Sequence, residues 1–206
     1  MSISKFMKKI LFLVPSLKYG GIEKVVSNLS VILSSEFELI IAVFDGRDMK
    51  ERVNGKILDL KTPASSNPLK KIINFLKRIL IVKRLKKLEN IDYSLSFGEV
   101  ANIVNILTLY KKTILSIHTS LSEIKENFIY GFIYSLIRKK FYKKANKIIA
   151  ITNSIKETLI TKFGIDSKKI EVIYNPFDIK KIEFLSLEPL EKKYKEIYKN
   201  NHVLIN

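Results

Sequence analysis

Lys9-Ile10-Leu11-Phe12-Leu13-Val14-Pro15-Ser16-Leu17-Lys18-Tyr19-Gly20-Gly21-Ile22-Glu23 is the stretch on which the fold turns. Residues 10–14 form a short, unbroken apolar run, the pattern of a strand buried on both faces of a parallel sheet. Apolar residues then recur at 22, 25, 26, 29, 32 and 33, a helical period. Between the two stands a glycine pair. A strand that turns through paired glycines into a helix opens an α/β domain, and such sheets hold their ligands at the carboxyl ends of the strands.

The same rhythm continues along the chain. Strands are read at 37–44, closed by Asp45-Gly46, and at 56–60, 93–97, 113–117, 147–151 and 170–174, the last stopped by Asn175-Pro176. Helical periods fall at 69–88, 99–109, 128–144 and 153–163, with Gly164 placed to end the last of them. Residues 62–68 are a loop by composition. Strands alternating with helices predict a parallel, doubly wound α/β sheet. Farther on, 185–199 reads as a charged helix and 202–206 as the opening of another strand. The expected organisation is one domain over 1–180, then a linker helix and the first strand of an incomplete second domain over 181–206.

Composition narrows the classes. A chain of 206 residues, 47% hydrophobic with 7 Gly and 5 Pro, supports a substantial core and is neither disordered nor fibrous. The absence of Cys excludes disulfide staples and Cys-based zinc sites and fits a reducing compartment. With only His118 and His202, a histidine metal cluster is not expected. The formal charge of +17 draws the surface toward polyanions such as nucleic acid, anionic lipid headgroups or phosphorylated substrates. The Lys-, Ile- and Asn-rich usage of an AT-rich genome produces the same balance. Lys5, Lys8 and Lys9 before an apolar run imitate a signal peptide, but the run is too short, is cut by Pro15, and reaches no small-residue cleavage site. The run 128–137 is about half of the ~20 residues that a membrane span needs. The sequence therefore reads as soluble, or as resting on a membrane surface without crossing it.

Few residues stand out for chemistry. Gly20 and Gly21 lie where a strand becomes a helix, so backbone N–H groups there can approach an anion closely; a tight turn needing positive φ would use the same pair. This is not GxGxxG, so a nicotinamide-dependent oxidoreductase is disfavoured although Asp45 ends the second strand. Glu23 falls in the first helical turn, where a carboxylate favours the helix dipole. His118 ends the strand 113–117, at the edge where an α/β cleft lies; a histidine is also a common structural hydrogen-bonder. No G-x-S-x-G elbow, no G-x-x-x-x-G-K-[ST] loop and no spaced carboxylate pair is present.

The helix 69–88 carries two stripes. Leu69, Ile73, Leu76 and Leu80 make an apolar side, read as core-facing. Lys70, Lys77 and Arg84, with Lys71 and Arg78 beside them, make a basic side suited to anionic lipid or simply to water. Arg138, Lys139, Lys140, Lys143 and Lys144 form a second basic cluster, preceded by Phe128, Tyr130, Phe132 and Tyr134.

Three segments resemble one known family. KILFLVPSLxxGGIEKVVxNL over 9–29, ANKIIAITNS over 145–154 and KIEVIYNPFD over 169–178 are similar, in order and spacing, to the first half of GT-B glycosyltransferases of family 4. Within that family the chain looks most like bacterial enzymes that build lipid-linked oligosaccharides or surface polysaccharides. The resemblance implies a Rossmann-like acceptor domain, one of two flanking a cleft. It also implies retaining transfer of a sugar, of hexosyltransferase type, from a nucleotide-sugar donor, usually without a metal. By the same resemblance Gly20 and Gly21 lie near the donor phosphates, His118 contacts the transferred sugar, and Thr152, Asn153 and Asn175 face the cleft. The implied partners are the nucleotide sugar, which is a substrate and not a cofactor, and a glycan or polyprenyl-diphosphate-linked acceptor; nucleic acid is not among them. The implied place is the cytoplasm, docked at the inner face of the cell membrane. The donor-binding domain and its paired glutamates are expected to be missing, which predicts little or no catalysis by these residues alone. The rival reading is a non-catalytic basic module that binds anionic membranes or polyanions by charge.

Overall fold

The computed structural model describes residues 7–110, 112–119, 128–200 and 202. Its sheet has seven strands: β1 (Lys8–Val14), β2 (Phe37–Val43), β3 (Lys56–Asp59), β4 (Tyr93–Phe97), β5 (Thr113–Ile117), β6 (Lys147–Ala150) and β7 (Ile170–Val172). They lie in the order β3-β2-β1-β4-β5-β6-β7, and every pairing is parallel. Between them run α1 (Gly21–Leu33), α2 (Pro68–Leu88), α3 (Glu99–Leu107), α4 (Phe128–Phe141) and α5 (Asn153–Thr161). A 3-10 turn, Tyr142–Lys144, continues α4. The predicted Rossmann-like α/β architecture is the one observed.

Side-chain alternation assigns the two faces. Ile10, Phe12, Val14, Leu39, Ile41 and Val43 pack under Val25 and Val26 of α1. Leu11, Leu13, Ile40 and Ala42 pack on the other face under Val82 of α2 and Ala101 and Val104 of α3. Leu115, Ile117, Ile148 and Ala150 extend that second face beneath α3 and α5. From Leu11 to Val14 every side chain is fully buried, which is why β1 shows no polar alternation. Each such aliphatic or aromatic group contributes about 1.5–3 kcal/mol by burial.

Helix α2 sits the other way round from its sequence pattern. Leu69, Ile73, Leu76 and Leu80 are 66%, 40%, 54% and 59% exposed. The sheet-facing side instead carries Phe75, Ile79, Val82 and Leu85, together with the buried Arg78 and Lys86. Long basic side chains can take this side because their stems are apolar and their heads find acceptors. Arg78 donates from Nε to the Thr62 carbonyl at 3.1 Å and lies 4.3 Å over the Phe44 ring. Lys86 Nζ donates to Asn105 Oδ1 at 2.5 Å and to Thr108 Oγ1 at 2.8 Å.

Two other expectations are corrected. Arg138 does not belong to a surface cluster: it is 4% exposed, and its Nε meets Glu99 Oε1 at 2.7 Å, an oxygen that also accepts from Tyr142 Oη at 3.1 Å. The helix read at 185–199 is instead two, α6 (Ile179–Ser186) and α7 (Lys192–Asn200), because Pro189 offers no N–H and disfavours helix before it. The chain divides into two units, Met1–Pro176 and Phe177–Asn206. The strand expected at 202–206 falls outside the described residues except for His202, which is exposed and in no element.

Burial pushes the Lys86 ammonium down to a pKa of about 7. An unfolded lysine titrates near 10.4, so between the two values the unfolded chain binds the extra proton and stability falls as pH is lowered. In denaturant titrations from pH 7 to 9.5, the wild-type chain should gain stability relative to Lys86→Met by up to about 1.4 kcal/mol per pH unit. Parallel curves would mean that Lys86 stays charged in its pocket.

Candidate functional site

The strand order reverses between β1 and β4, the point at which doubly wound sheets hold a ligand crevice outside the carboxyl edge. Two helices begin at it, α1 after β1 and α3 after β4. Both take glycine as N-cap, Gly20 and Gly98, and neither has a side-chain cap hydrogen bond. By contrast α2, α5 and α6 are capped by Asn67, Thr152 and Asp178. The first N–H groups of α1 and α3 have no intrahelical acceptor. The crevice is therefore bordered by two helix N-termini without side-chain caps, whose free N–H groups favour an anion. Each also has a carboxylate in its first turn, Glu23 against Gly20 and Glu99 paired with Arg138.

The glycine pair is not explained by backbone conformation. Gly20 has φ 170, ordinary extended backbone, and Gly21 is the first residue of α1. A Cβ on Gly21 would meet nothing within 4 Å, so the space beside it is open. A Cβ on Gly20 would lie 2.3 Å from Glu23 Oε2, the end of a flexible side chain whose other oxygen accepts from Ser16 Oγ at 3.1 Å. What Gly21 provides is room at the α1 N-terminus; beside Gly20 that room is taken by the Glu23 carboxylate. Gly98 is the glycine that the backbone does require: φ 82 and ψ 158 belong to a region essentially restricted to glycine. Sequence reading missed it, although Phe97-Gly98-Glu99 repeats the strand–glycine–helix pattern of the first unit.

His118 follows β5, two strands from β1, about 10 Å at the usual strand spacing. Its ring lies 6.0 Å from that of Phe97, which in turn stacks edge-on at 5.2 Å against Phe12. Nε2 is 3.0 Å from Ser116 Oγ, and the Ser116 carbonyl accepts from Asn102 Nδ2 at 2.9 Å. The imidazole is thus held by β4 and by its own strand, and α3 fixes that strand. Burial pushes its pKa down to about 4, so it is neutral at physiological pH. A neutral imidazole offers one donor and one acceptor. It suits a sugar hydroxyl better than a phosphate.

The remaining predicted residues follow the same edge. Thr152 and Asn153 are exposed at the end of β6, and Thr152 Oγ1 caps α5 by accepting from the Ile155 N–H at 3.2 Å. Asn175 follows β7; its Oδ1 is buried and has no partner among the described residues. The next residue reaches α1, where Asn28 Nδ2 donates to the Pro176 carbonyl at 3.0 Å. Asp45, at the end of β2, is gripped by Arg47 through two hydrogen bonds of 2.7 and 2.9 Å, which lower its pKa to about 2. Of the basic residues on α2, Lys70, Lys71, Lys77 and Arg84 are exposed, and Arg78 is buried against Thr62. Among the described residues no group of three His, Cys, Asp or Glu is arranged to hold a metal, and no helix is long and apolar enough to cross a membrane.

Comparison with known proteins identifies the family and its fold. A family model described as Glycosyltransferase Family 4 matches residues 19–181. The chain is 31% identical over 205 residues to the N-acetylgalactosamine-N,N'-diacetylbacillosaminyl-diphospho-undecaprenol 4-alpha-N-acetylgalactosaminyltransferase of Campylobacter jejuni, covering 93% of this chain and 54% of that protein. It is 29% identical over 168 residues to an uncharacterized glycosyltransferase of Methanocaldococcus jannaschii, covering 77% and 41%. The structure of a lipopolysaccharide outer core galactosyltransferase superposes with a TM-score of 0.64 at 21% identity, over 83% of this chain and 46% of that one. The chain thus spans about half the length of the curated relatives it matches.

The two kinds of glycine should separate in one experiment. Gly98→Ala forces a restricted conformation and brings a Cβ within 3.4 Å of Ile22, so a loss of about 1–3 kcal/mol in unfolding free energy is expected. Gly21→Ala should leave stability within about 0.5 kcal/mol of wild type. Equal losses in the two variants would return Gly21 to a purely structural role.

Proposed function

The chain belongs to Glycosyltransferase Family 4, and on that footing we propose that it is the acceptor-side half of a retaining, hexosyltransferase-type enzyme. The reaction is transfer of a sugar from a nucleotide-sugar donor to a lipid-linked or surface-polysaccharide glycan. The observation that carries the reading is the open α1 N-terminus at Gly20 and Gly21 set across β4 from the neutral His118.

Transfer breaks the bond from the anomeric carbon to the phosphate oxygen and forms one from that carbon to an acceptor hydroxyl oxygen, whose proton passes to the departing diphosphate as negative charge grows on it. Preorganised N–H groups at a helix N-terminus stabilise charge that develops there, commonly the largest catalytic contribution. Gly21, with no Cβ, lets the diphosphate approach those groups. His118 hydrogen-bonds the transferred sugar without adding charge, and Ser116 and Phe97 fix its ring. Thr152, Asn153 and Asn175 continue the cleft wall along the same edge. Residues spanning about half of the relatives' length are expected to engage the acceptor and not to turn over alone.

A relative whose name specifies a diphospho-undecaprenol acceptor supports the lipid-linked class. The outward face of α2 supports it independently. Leu69, Ile73, Leu76 and Leu80 are exposed beside Lys70, Lys77 and Arg84, the arrangement of a helix lying in a membrane interface. Each cation near an anionic surface contributes about 1 kcal/mol. These features support a location at the cytoplasmic face of the membrane. The same face is all that the rival reading, a charge-driven module without catalysis, requires.

In the full-length polypeptide containing these residues, assayed against a panel of nucleotide sugars, His118→Ala should lower transfer at least tenfold, ~1.4 kcal/mol of barrier. The pH profile between 5 and 8 should show no limb from this histidine. Unchanged kinetics would remove His118 from the site. Replacing Lys70, Lys77 and Arg84 by Glu should abolish binding to vesicles containing anionic lipid; retained binding would make this face a solvated surface.

A further inference from the structure

A cavity of about 420 Å³ lies between the loop that follows β3, the first half of α2, the first turn of α3 and the last turns of α4. Its size is that of a small-molecule site, about 300–1,000 Å³. Ala64, Ile72, Phe75, Val100 and Ile137 give it apolar walls. Two of its polar residues are turned to the protein: Asn74 Nδ2 donates to the Pro63 carbonyl at 2.9 Å, and Arg78 Nε to the Thr62 carbonyl at 3.1 Å. They close the wall and leave an apolar interior. Lys71 is among its lining residues, next to the exposed Lys70, and the first turn of α2 holds no acidic residue.

Ile72 connects this cavity to the surface. It lines the cavity, is 51% exposed, and stands next to Leu69, Ile73 and Leu76 on the outward face of α2. Ile72 thus offers a hydrocarbon chain an apolar step from a bilayer beneath α2 to the cavity. An attached diphosphate would then stop at the cationic first turn, where the helix dipole also favours it. We infer that the cavity holds the proximal part of the hydrocarbon chain of a lipid diphosphate acceptor, with its diphosphate outside, at the first turn of α2. The inference rests on the lipid-linked acceptor proposed above and adds where its chain is bound.

Farnesyl diphosphate, a soluble isoprenoid diphosphate, is the probe, titrated calorimetrically into the full chain at fixed ionic strength beside inorganic diphosphate. Farnesyl diphosphate should bind at least tenfold more tightly than inorganic diphosphate. Ile72→Asp, in the cavity wall, should weaken farnesyl diphosphate at least tenfold. Leu80→Asp, on the same outward face but outside the cavity, should leave it unchanged. Ala64→Trp, on an exposed loop residue of the wall, should reproduce the loss if Ile72→Asp proves unstable. Equal affinity for the two ligands, equal loss in the Ile72 and Leu80 variants, or undiminished binding in the wall variants would overturn the inference. The readout is binding in the absence of a donor, so it does not depend on His118: transfer that ignores His118→Ala would leave it standing, and undiminished binding in the wall variants would leave the transferase reading standing.

Discussion

Parallel strands joined by helices cross over with one hand, and this constraint arranges the molecule. From β1 to β2 and β3 the chain steps in one direction, and from β4 to β7 in the other. With the hand fixed, reversing direction changes the face on which the connecting helix lies. Accordingly α1 packs on one face and α2, α3 and α5 on the opposite one. The return from β3 to β4 passes outside β2 and β1 and uses α2, whose 21 residues span about 31 Å. Because α1 and α3 leave neighbouring strands toward opposite faces, their N-termini part at the carboxyl edge. The crevice is a consequence of the strand order, and glycine at both caps keeps it open.

The sheet is tied to the site by a seam that is polar where most interiors are apolar. Ser94 and Ser96 of β4 face Asn102 and Asn105 of α3, with Ser94 Oγ to Asn105 Oδ1 at 3.0 Å and Asn105 Nδ2 to Ser96 Oγ at 2.9 Å. Ser96 Oγ donates to Asn102 Oδ1 at 2.7 Å, and Asn102 carries the connection to Ser116, beside His118. Lys86 enters the same seam from α2. An unmet buried polar group costs about 1–3 kcal/mol, so α3 has one register in which all these groups are satisfied. The pair of Glu99 and Arg138 locks the first turn of α3 to α4; losing either partner would strand a buried charge at about 3–5 kcal/mol. The position of His118 is set by this register.

Patterns of one period were legible in the sequence. The strands at 93–97 and 113–117 match the structure residue for residue, and Gly164 ends α5 at φ 60 as a left-handed cap should. The glycine pair and the edge position of His118 were legible for the same reason: both follow from where a strand stops. The orientation of α2 was not. Its exposed leucines look like a core stripe, and its buried side holds Arg78 and Lys86, whose acceptors at Thr62, Asn105 and Thr108 come from other elements and leave no trace in the helix pattern. Arg138 reads as a surface cation in the sequence because its partner, Glu99, lies on another helix. Gly98 does not stand out in the sequence because a single glycine between a strand and a helix is common, and only its φ and ψ show that it is required.

The most direct measurement is a crystal structure of the full-length polypeptide with a non-transferable nucleotide-sugar analogue. The account predicts the donor diphosphate within about 3 Å of backbone N–H groups at the start of α1, beside Gly21, with a hydroxyl of the sugar hydrogen-bonded to His118. A diphosphate bound elsewhere, with the α1 N-terminus and His118 facing only water, would contradict it.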